Sequence, residues 1–214
     1  MNDQFKGLTA WEDYLTALEN AAPKIRALGV TDYYLTHTYE KVLAEKRNGR
    51  LRDIELIFLN IELRIGVGTT KGGWVNMHLM VSPEDSDHLE KAKAFVRKLR
   101  FRAHDEPFTC TRDDLIRLGR ASDPSKVTDE LALEQGATQF KVGFDQLREE
   151  FDQSKWAQEN ILVAVAGGKD DGTSGVKEAA DATLRTEIEK FADIIFASSV
   201  AQREFWLGLR AASP

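Results

Sequence analysis

Asn60, Glu62 and Arg64 alternate with Leu59, Ile61, Leu63 and Ile65, and Asn76 and His78 alternate with Val75, Met77 and Leu79. A glycine-rich segment lies between the two runs. Successive side chains of a strand point to opposite faces, so each run has one apolar face and one that carries polar groups. Burying an unpaired carboxylate costs several kcal/mol, so such a face must be paired, metal-bound or wet. Glu62 and His78 with a nearby aspartate would begin a metal site. A carboxylate can bridge cations, imidazole suits zinc or manganese, and the ions could polarise a phosphoryl oxygen and supply a hydroxide nucleophile. The plainer alternative is a Glu62–Arg64 or asparagine-bridged network facing solvent on an open sheet.

Further polar groups sit where strands should end. Asp32 closes "GVTD", "GGKDDGTSG" follows the run "ILVAVA", and Ser198 and Ser199 end "DIIFASS". In α/β folds the carboxyl ends of strands line the functional cleft, so Asp32 is expected to converge there with Glu62 and His78. The backbone amides of Gly167 and Gly168 could cradle an anion. "GVGTTKGG" and "AGGKDDG" look like phosphate loops, but neither matches G-x-x-x-x-G-K-[ST], and each reads as a turn. Cys110 has no nucleophile signature around it, and His37, His88 and His104 read as ordinary surface histidines.

The elements that must position these groups alternate along the chain. A helix is expected from Thr9, with Glu12 as capping-box partner, an apolar face of Trp11, Leu15, Leu18 and Ile25, and Gly29 at its end. "VTDYYL" reads as a strand, and a second helix runs from about Thr38 to the stop at Asn48 and Gly49. The two polar-faced strands follow. A basic helix then covers "KAKAFVRKLRFR", whose Ala92, Phe95, Val96 and Leu99 recur at helical spacing and leave a solvated basic face. Thr111 is an N-cap with Asp113 and Asp114 in the first turn. "FKVGFDQLREEFDQSKW" is amphipathic, "ILVAVAGG" is a buried strand, and helix, strand and helix complete the order. This predicts an α/β fold with helices outside a largely parallel sheet, as one domain over residues 1–214.

Composition narrows the function classes. With 42% hydrophobic and 30% charged residues, the chain is an ordinary globular protein with no run long enough to span a bilayer. A net charge of −6 argues against a generally adhesive nucleic-acid surface. The single cysteine excludes an internal disulfide framework and, with no signal-peptide pattern at the start, fits the cytoplasm.

The stretches "LGVTDYY", "LIFLNIELRI" followed by "VNMHLMV", "ILVAVAGGKDDGTSG" and "ADIIFASSVAQREFWLG", in this order, resemble the PHP (polymerase and histidinol phosphatase) superfamily, in particular the branch attached to TrlF-type AAA-like ATPases. The resemblance implies a distorted (β/α)7 barrel, incomplete or open here, with a divalent metal cluster of zinc or manganese at its mouth. It implies hydrolysis of phosphoesters, nucleic acid or nucleotides among them, and an ATPase region as partner. Glu62 matches the bridging glutamate, His78 the histidine of the following strand, and Asp32 the aspartate of the second motif. Tyr33 stands where a metal-binding histidine is usual. Gly167 falls at the place of another histidine, with Lys169, Asp170 and Asp171 nearby as substitutes. Asp170 is thus a candidate metal ligand, and Arg64, Lys169, Gly167 and Gly168 are candidate substrate contacts. The family's opening H-x-H and closing D-x-H motifs would lie before the first helix and after "QREFWLGLR", so the chain is expected to be a partial PHP domain. Two functions compete on these grounds: a metal-dependent phosphoesterase, and a catalytically inactive PHP-like binding or regulatory module.

Overall fold

The computed structural model describes residues 5–68, 73–167, 176 and 181–209. In chain order its elements are α1 (Ala10–Glu19), β1 (Ala27–Tyr33), α2 (His37–Arg47), β2 (Leu56–Gly68), β3 (Trp74–Val81), α3 (His88–Val96), β4 (Arg100–Ala103) and β5 (Glu106–Thr109). Then follow α4 (Arg112–Ser122), α5 (Asp129–Gln139), α6 (Phe144–Asp152), α7 (Lys155–Asn160), β6 (Ile161–Ala166), α8 (Ala182–Phe191), β7 (Ile194–Phe196) and α9 (Val200–Trp206).

The fold is α/β, a mixed five-stranded sheet in the order β1-β2-β3-β6-β7 with flanking helices, and a separate β4-β5 ribbon. The expected largely parallel sheet is corrected in its centre. β1 and β2 are parallel, as are β6 and β7, but β3 runs antiparallel to both of its neighbours. The short link after Gly68 is the cause, because a connection of a few residues can join only antiparallel strands. Since β3 reverses twice, β1, β2, β6 and β7 all point the same way, and their carboxyl ends share one edge of the molecule. Among the described residues the sheet stays open, with β1 and β7 at its edges, and does not close into a seven-stranded barrel.

One face of the sheet is the core. Val30, Leu59, Ile61, Leu63, Ile65, Val75, Met77, Leu79, Val163 and Val165 are each no more than 2% exposed. They join one cluster with Tyr39 and Val42 of α2, Phe95 of α3, Leu115 and Leu118 of α4, and Leu147 of α6. The opposite face carries the alternate residues and is partly open. At its amino end Leu56 and Leu162 are 44% and 52% exposed.

Local chemistry moved several boundaries. The first helix ends at Glu19 rather than near Gly29, because Pro23 cannot continue a helix. Gly29 lies inside β1, where a Cβ would stand 2.7 Å from the Phe58 ring. Thr9 precedes α1 but its hydroxyl bonds Asp13 instead of capping the helix. The basic stretch splits, with Lys91 and Lys93 on α3 and Arg100 and Arg102 on β4. Lys91 pairs with Asp85, Lys93 with Glu40 and Glu90, and Lys98 with Glu150, which neutralises the lysines of the stretch. Thr111 caps α4 as expected, accepting from the Asp114 amide.

Candidate functional site

The sheet register sorts the candidate residues. Glu62 is directly opposite His78 across β2 and β3, Arg64 opposite Asn76, and Asn60 opposite Met80. On the other side of β2, Tyr33 neighbours Glu62 and Thr31 neighbours Asn60. Laterally paired residues share a face, so Thr31, Tyr33, Asn60, Glu62, Arg64, Asn76 and His78 form one polar surface near the carboxyl ends of β1 and β2. Asn60, Glu62 and Asn76 are buried within it, at 8%, 8% and 5% exposure.

These groups satisfy one another closely. The Asn76 amide donates to Glu62 Oε1 at 2.6 Å, and the Asn60 amide donates to Thr31 Oγ1 at 2.8 Å and faces His78 Nδ1 at 3.2 Å. The Tyr33 phenol is pushed up by burial and by the neighbouring Glu62 charge. The Arg64 guanidinium lies over the Tyr33 ring, 4.7 Å from its centre. The His78 ring meets Phe196 of β7 edge-on at 5.2 Å. Asn60 Oδ1 is buried without a hydrogen-bond partner. Turning the amide over would leave Nδ2 without a partner instead, so one buried polar atom stays unsatisfied in either orientation. Such an atom costs about 1–3 kcal/mol unless a water or a ligand group meets it.

Asp32 does not join this surface. It is opposite Ile61, not Glu62, and therefore belongs to the other face of β1. Its carboxylate accepts from the Thr38 amide at 2.6 Å and the Thr38 hydroxyl at 2.7 Å, which ties β1 to the first turn of α2. The expectation that Asp32 would converge with Glu62 and His78 is corrected by that parity. Gly167 follows β6 at the same carboxyl edge as the polar surface, and its amide donates to Phe196 O at 2.8 Å. Gly168, Lys169, Asp170 and Asp171 lie outside the described residues. Ser199 caps α9 through the Gln202 amide. His88 is a correction of another kind. It is 9% exposed and bonds the Tyr39 hydroxyl at 2.8 Å and the Asp85 carbonyl at 2.7 Å, so it is a satisfied interior histidine.

Sequence reasoning missed Lys141. A bridge between Ile65 and Val142 lays the segment after α5 alongside the end of β2, so Lys141 stands next to Arg64 on the polar face. The bridge is held by the Gly66 amide to Val142 O at 2.7 Å and the Val142 amide to Arg64 O at 2.8 Å. No local pattern announces a contact between residues so far apart in the chain.

Among the described residues, no group of three or more His, Cys, Asp or Glu side chains is placed to hold a metal ion. Glu62 and His78 supply two donors, fewer than the three protein ligands of a typical catalytic zinc site. One Glu62 oxygen is already engaged by Asn76, and the Arg64 cation stands one row away. The described donor set therefore does not fit a protein-held zinc or manganese ion. A separate cavity of about 550 Å³, lined by His37, Glu40, Lys93, Arg97, Cys110 and Arg112 among others, shares no residue with the polar surface. Burial raises the Cys110 thiol well above its ordinary range, so it offers no nucleophile there. Among the described residues, no helix is long and apolar enough to cross a membrane.

No family model and no curated protein matches the chain. Among solved structures, a protein of Bifidobacterium adolescentis assigned as a metal-dependent phosphoesterase is similar at a TM-score of 0.44 and 13% identity, over 91% of this chain and 76% of that one.

Proposed function

We propose that this chain is a PHP-like, phosphoester-directed domain of a cytoplasmic protein that also carries an AAA-like ATPase region. In this reading the polar sheet face receives the phosphoester, and the chain as it stands binds it with little or no hydrolysis. The observation that carries the proposal is the Glu62–His78 cross-strand pair, set among Asn60, Asn76, Tyr33 and Arg64 at the carboxyl ends of parallel strands. A wet structural surface would not need to bury Asn60, Glu62 and Asn76 below a tenth of their area. The domain's family and its link to an ATPase rest on the sequence resemblance alone.

The weakness in hydrolysis follows from the donor count. A metal-dependent phosphoesterase needs cations fixed well enough to polarise the phosphoryl oxygen and to generate hydroxide. Here one Glu62 oxygen is taken by the Asn76 amide at 2.6 Å, which weakens it as a bridge between cations. Arg64 supplies positive charge from the protein itself, which orients an anion without activating water.

The test is metal analysis and turnover on the same purified chain. The expected outcome is sub-stoichiometric zinc and manganese, and no hydrolysis of bis-p-nitrophenyl phosphate above that of a Glu62→Ala variant. Stoichiometric tightly held metal, with turnover abolished by Glu62→Ala, would overturn the proposal in favour of an active phosphoesterase.

A further inference from the structure

Arg64 and Lys141 are two cations brought side by side, and they share an acceptor. Arg64 Nη1 donates to the Thr138 carbonyl at 3.0 Å and the Ala137 carbonyl at 3.3 Å. Lys141 Nζ donates to the Gln139 carbonyl at 2.7 Å and to the same Thr138 carbonyl at 2.8 Å. Both heads are thus anchored on the last carbonyls of α5, and neither has a carboxylate partner among the described residues. Arg50, Arg117, Arg120, Arg148 and Arg185 each pair with an acidic side chain, and Lys46, which like these two is held on carbonyls, has its set to itself.

Capping α5 explains one cation but not two. A helix C-terminus carries about half a negative charge, and a single Lys or Arg complements it. A second cation on the same carbonyl adds like-charge repulsion, and the cost is visible. Burial, and then the Arg64 charge, lower the Lys141 ammonium to about 8. An anion bound between the two heads would relieve that repulsion. A planar fork beside a point charge suits a phosphoryl group. Trp74 begins β3 on the same side, 41% exposed, with Lys141 Nζ 5.2 Å from its ring. An exposed indole beside a phosphate site is a stacking surface for a base.

We propose that Arg64 and Lys141 form a phosphoryl-anion subsite at the mouth of the polar face, with Trp74 as the stacking surface for an attached base, so that the ligand is a nucleotide phosphate. This rests on the reading of that face as the ligand site, and it adds Lys141 and Trp74 to it. Protein cations do here what a metal cluster would otherwise do for binding, so association needs no divalent ion.

The experiment is calorimetric titration of the whole chain in EDTA with pyrophosphate, ADP and a short oligothymidylate. The last two distinguish a free nucleotide from a nucleic-acid strand as the source of the same chemistry. Arg64→Gln and Lys141→Gln are each expected to weaken all binding about tenfold or more. Lys141→Arg is expected to restore it, and Trp74→Leu to weaken ADP or the oligonucleotide but not pyrophosphate. Wild-type affinity for pyrophosphate should fall as pH rises through about 8, while Lys141→Arg loses that dependence. Thermal melting of each variant shows that it is folded. Binding that survives in folded Arg64→Gln and Lys141→Gln overturns the subsite and leaves the phosphoester reading standing. Equal loss of ADP and pyrophosphate in Trp74→Leu overturns the nucleotide assignment. A wild-type chain that binds none of the three ligands removes the phosphoester reading as well.

Discussion

At the scale of single residues, the polar face is a set of paired costs. Glu62 is buried, and the 2.6 Å Asn76 contact and the Tyr33 phenol offset its desolvation. Lys141 is the costliest member, because burial desolvates its ammonium and another cation stands beside it. Its folded-state value of about 8 lies below the ordinary lysine value of 10.5. Above about 8 the folded state releases a proton that the unfolded chain keeps up to 10.5, so stability should rise with pH across that window. The expected gain is about 1–2 kcal/mol after allowance for partial exposure. Lys141→Gln should lack the rise, as urea unfolding of both proteins from pH ~7.5 to ~10.5 would show. The alternation of residues 59–65 and 75–81 made the Glu62, Arg64, Asn76 and His78 surface legible. Asp32 was misplaced because only the pairing register, Asp32 with Ile61, reveals its face. Lys141 was out of reach because its partner is set by a bridge between Ile65 and Val142.

At the scale of elements, the site depends on a helix pair that reaches the polar face through the last carbonyls of α5, which hold Arg64. α4 and α5 cross so closely that a Cβ on Gly119 would stand 1.8 Å from the Ala132 carbonyl, and one on Gly136 1.8 Å from the Leu115 carbonyl. Those obstacles are backbone atoms, which cannot rotate away. Gly136→Ala must separate the helices and should cost about 3 kcal/mol or more. The same separation would move the Ala137, Thr138 and Gln139 carbonyls that orient Arg64 and Lys141. The variant should therefore lose anion affinity as well as stability, measured by urea unfolding and by pyrophosphate titration at a temperature where it is still folded. The close crossing was not legible, since "LGRA" and "EQGAT" look like ordinary glycine-interrupted helices. Helix starts were easier. Thr111 and its following aspartates behave as local chemistry dictates, whereas the end of α1 was overrun by a pattern that gave too little weight to Pro23.

At the scale of the whole molecule, the sheet divides labour between its faces. The apolar face meets α2, α3, α4 and α6 in one cluster, and the other keeps its polar groups near the carboxyl ends of β1, β2, β6 and β7. The α/β class was legible from alternating helix and strand periods. The short glycine-rich link between β2 and β3 dictates their antiparallel pairing. Because β3 is reversed, its amino-terminal residues Trp74 and Asn76 meet the carboxyl-terminal residues of β2, and this is what unites Trp74, Arg64 and Lys141. An ordinary crossover there would have sent Trp74 to the far end of the molecule.

The central claim is that this polar face, and not the cavity beside α2 and α4, receives a phosphoester. Side-chain amide and imidazole NMR resonances report on it most directly, because Asn60, Asn76 and His78 lie on the face while His37, Arg97 and Arg112 line the cavity. On titration with ADP in EDTA, the account predicts saturable shifts of the Asn76 and Asn60 side-chain amides, the His78 ring and the Trp74 indole, with His37 unmoved. Shifts confined to His37, Arg97 and Arg112, with the Asn76 amide and His78 ring unchanged at saturation, would contradict it.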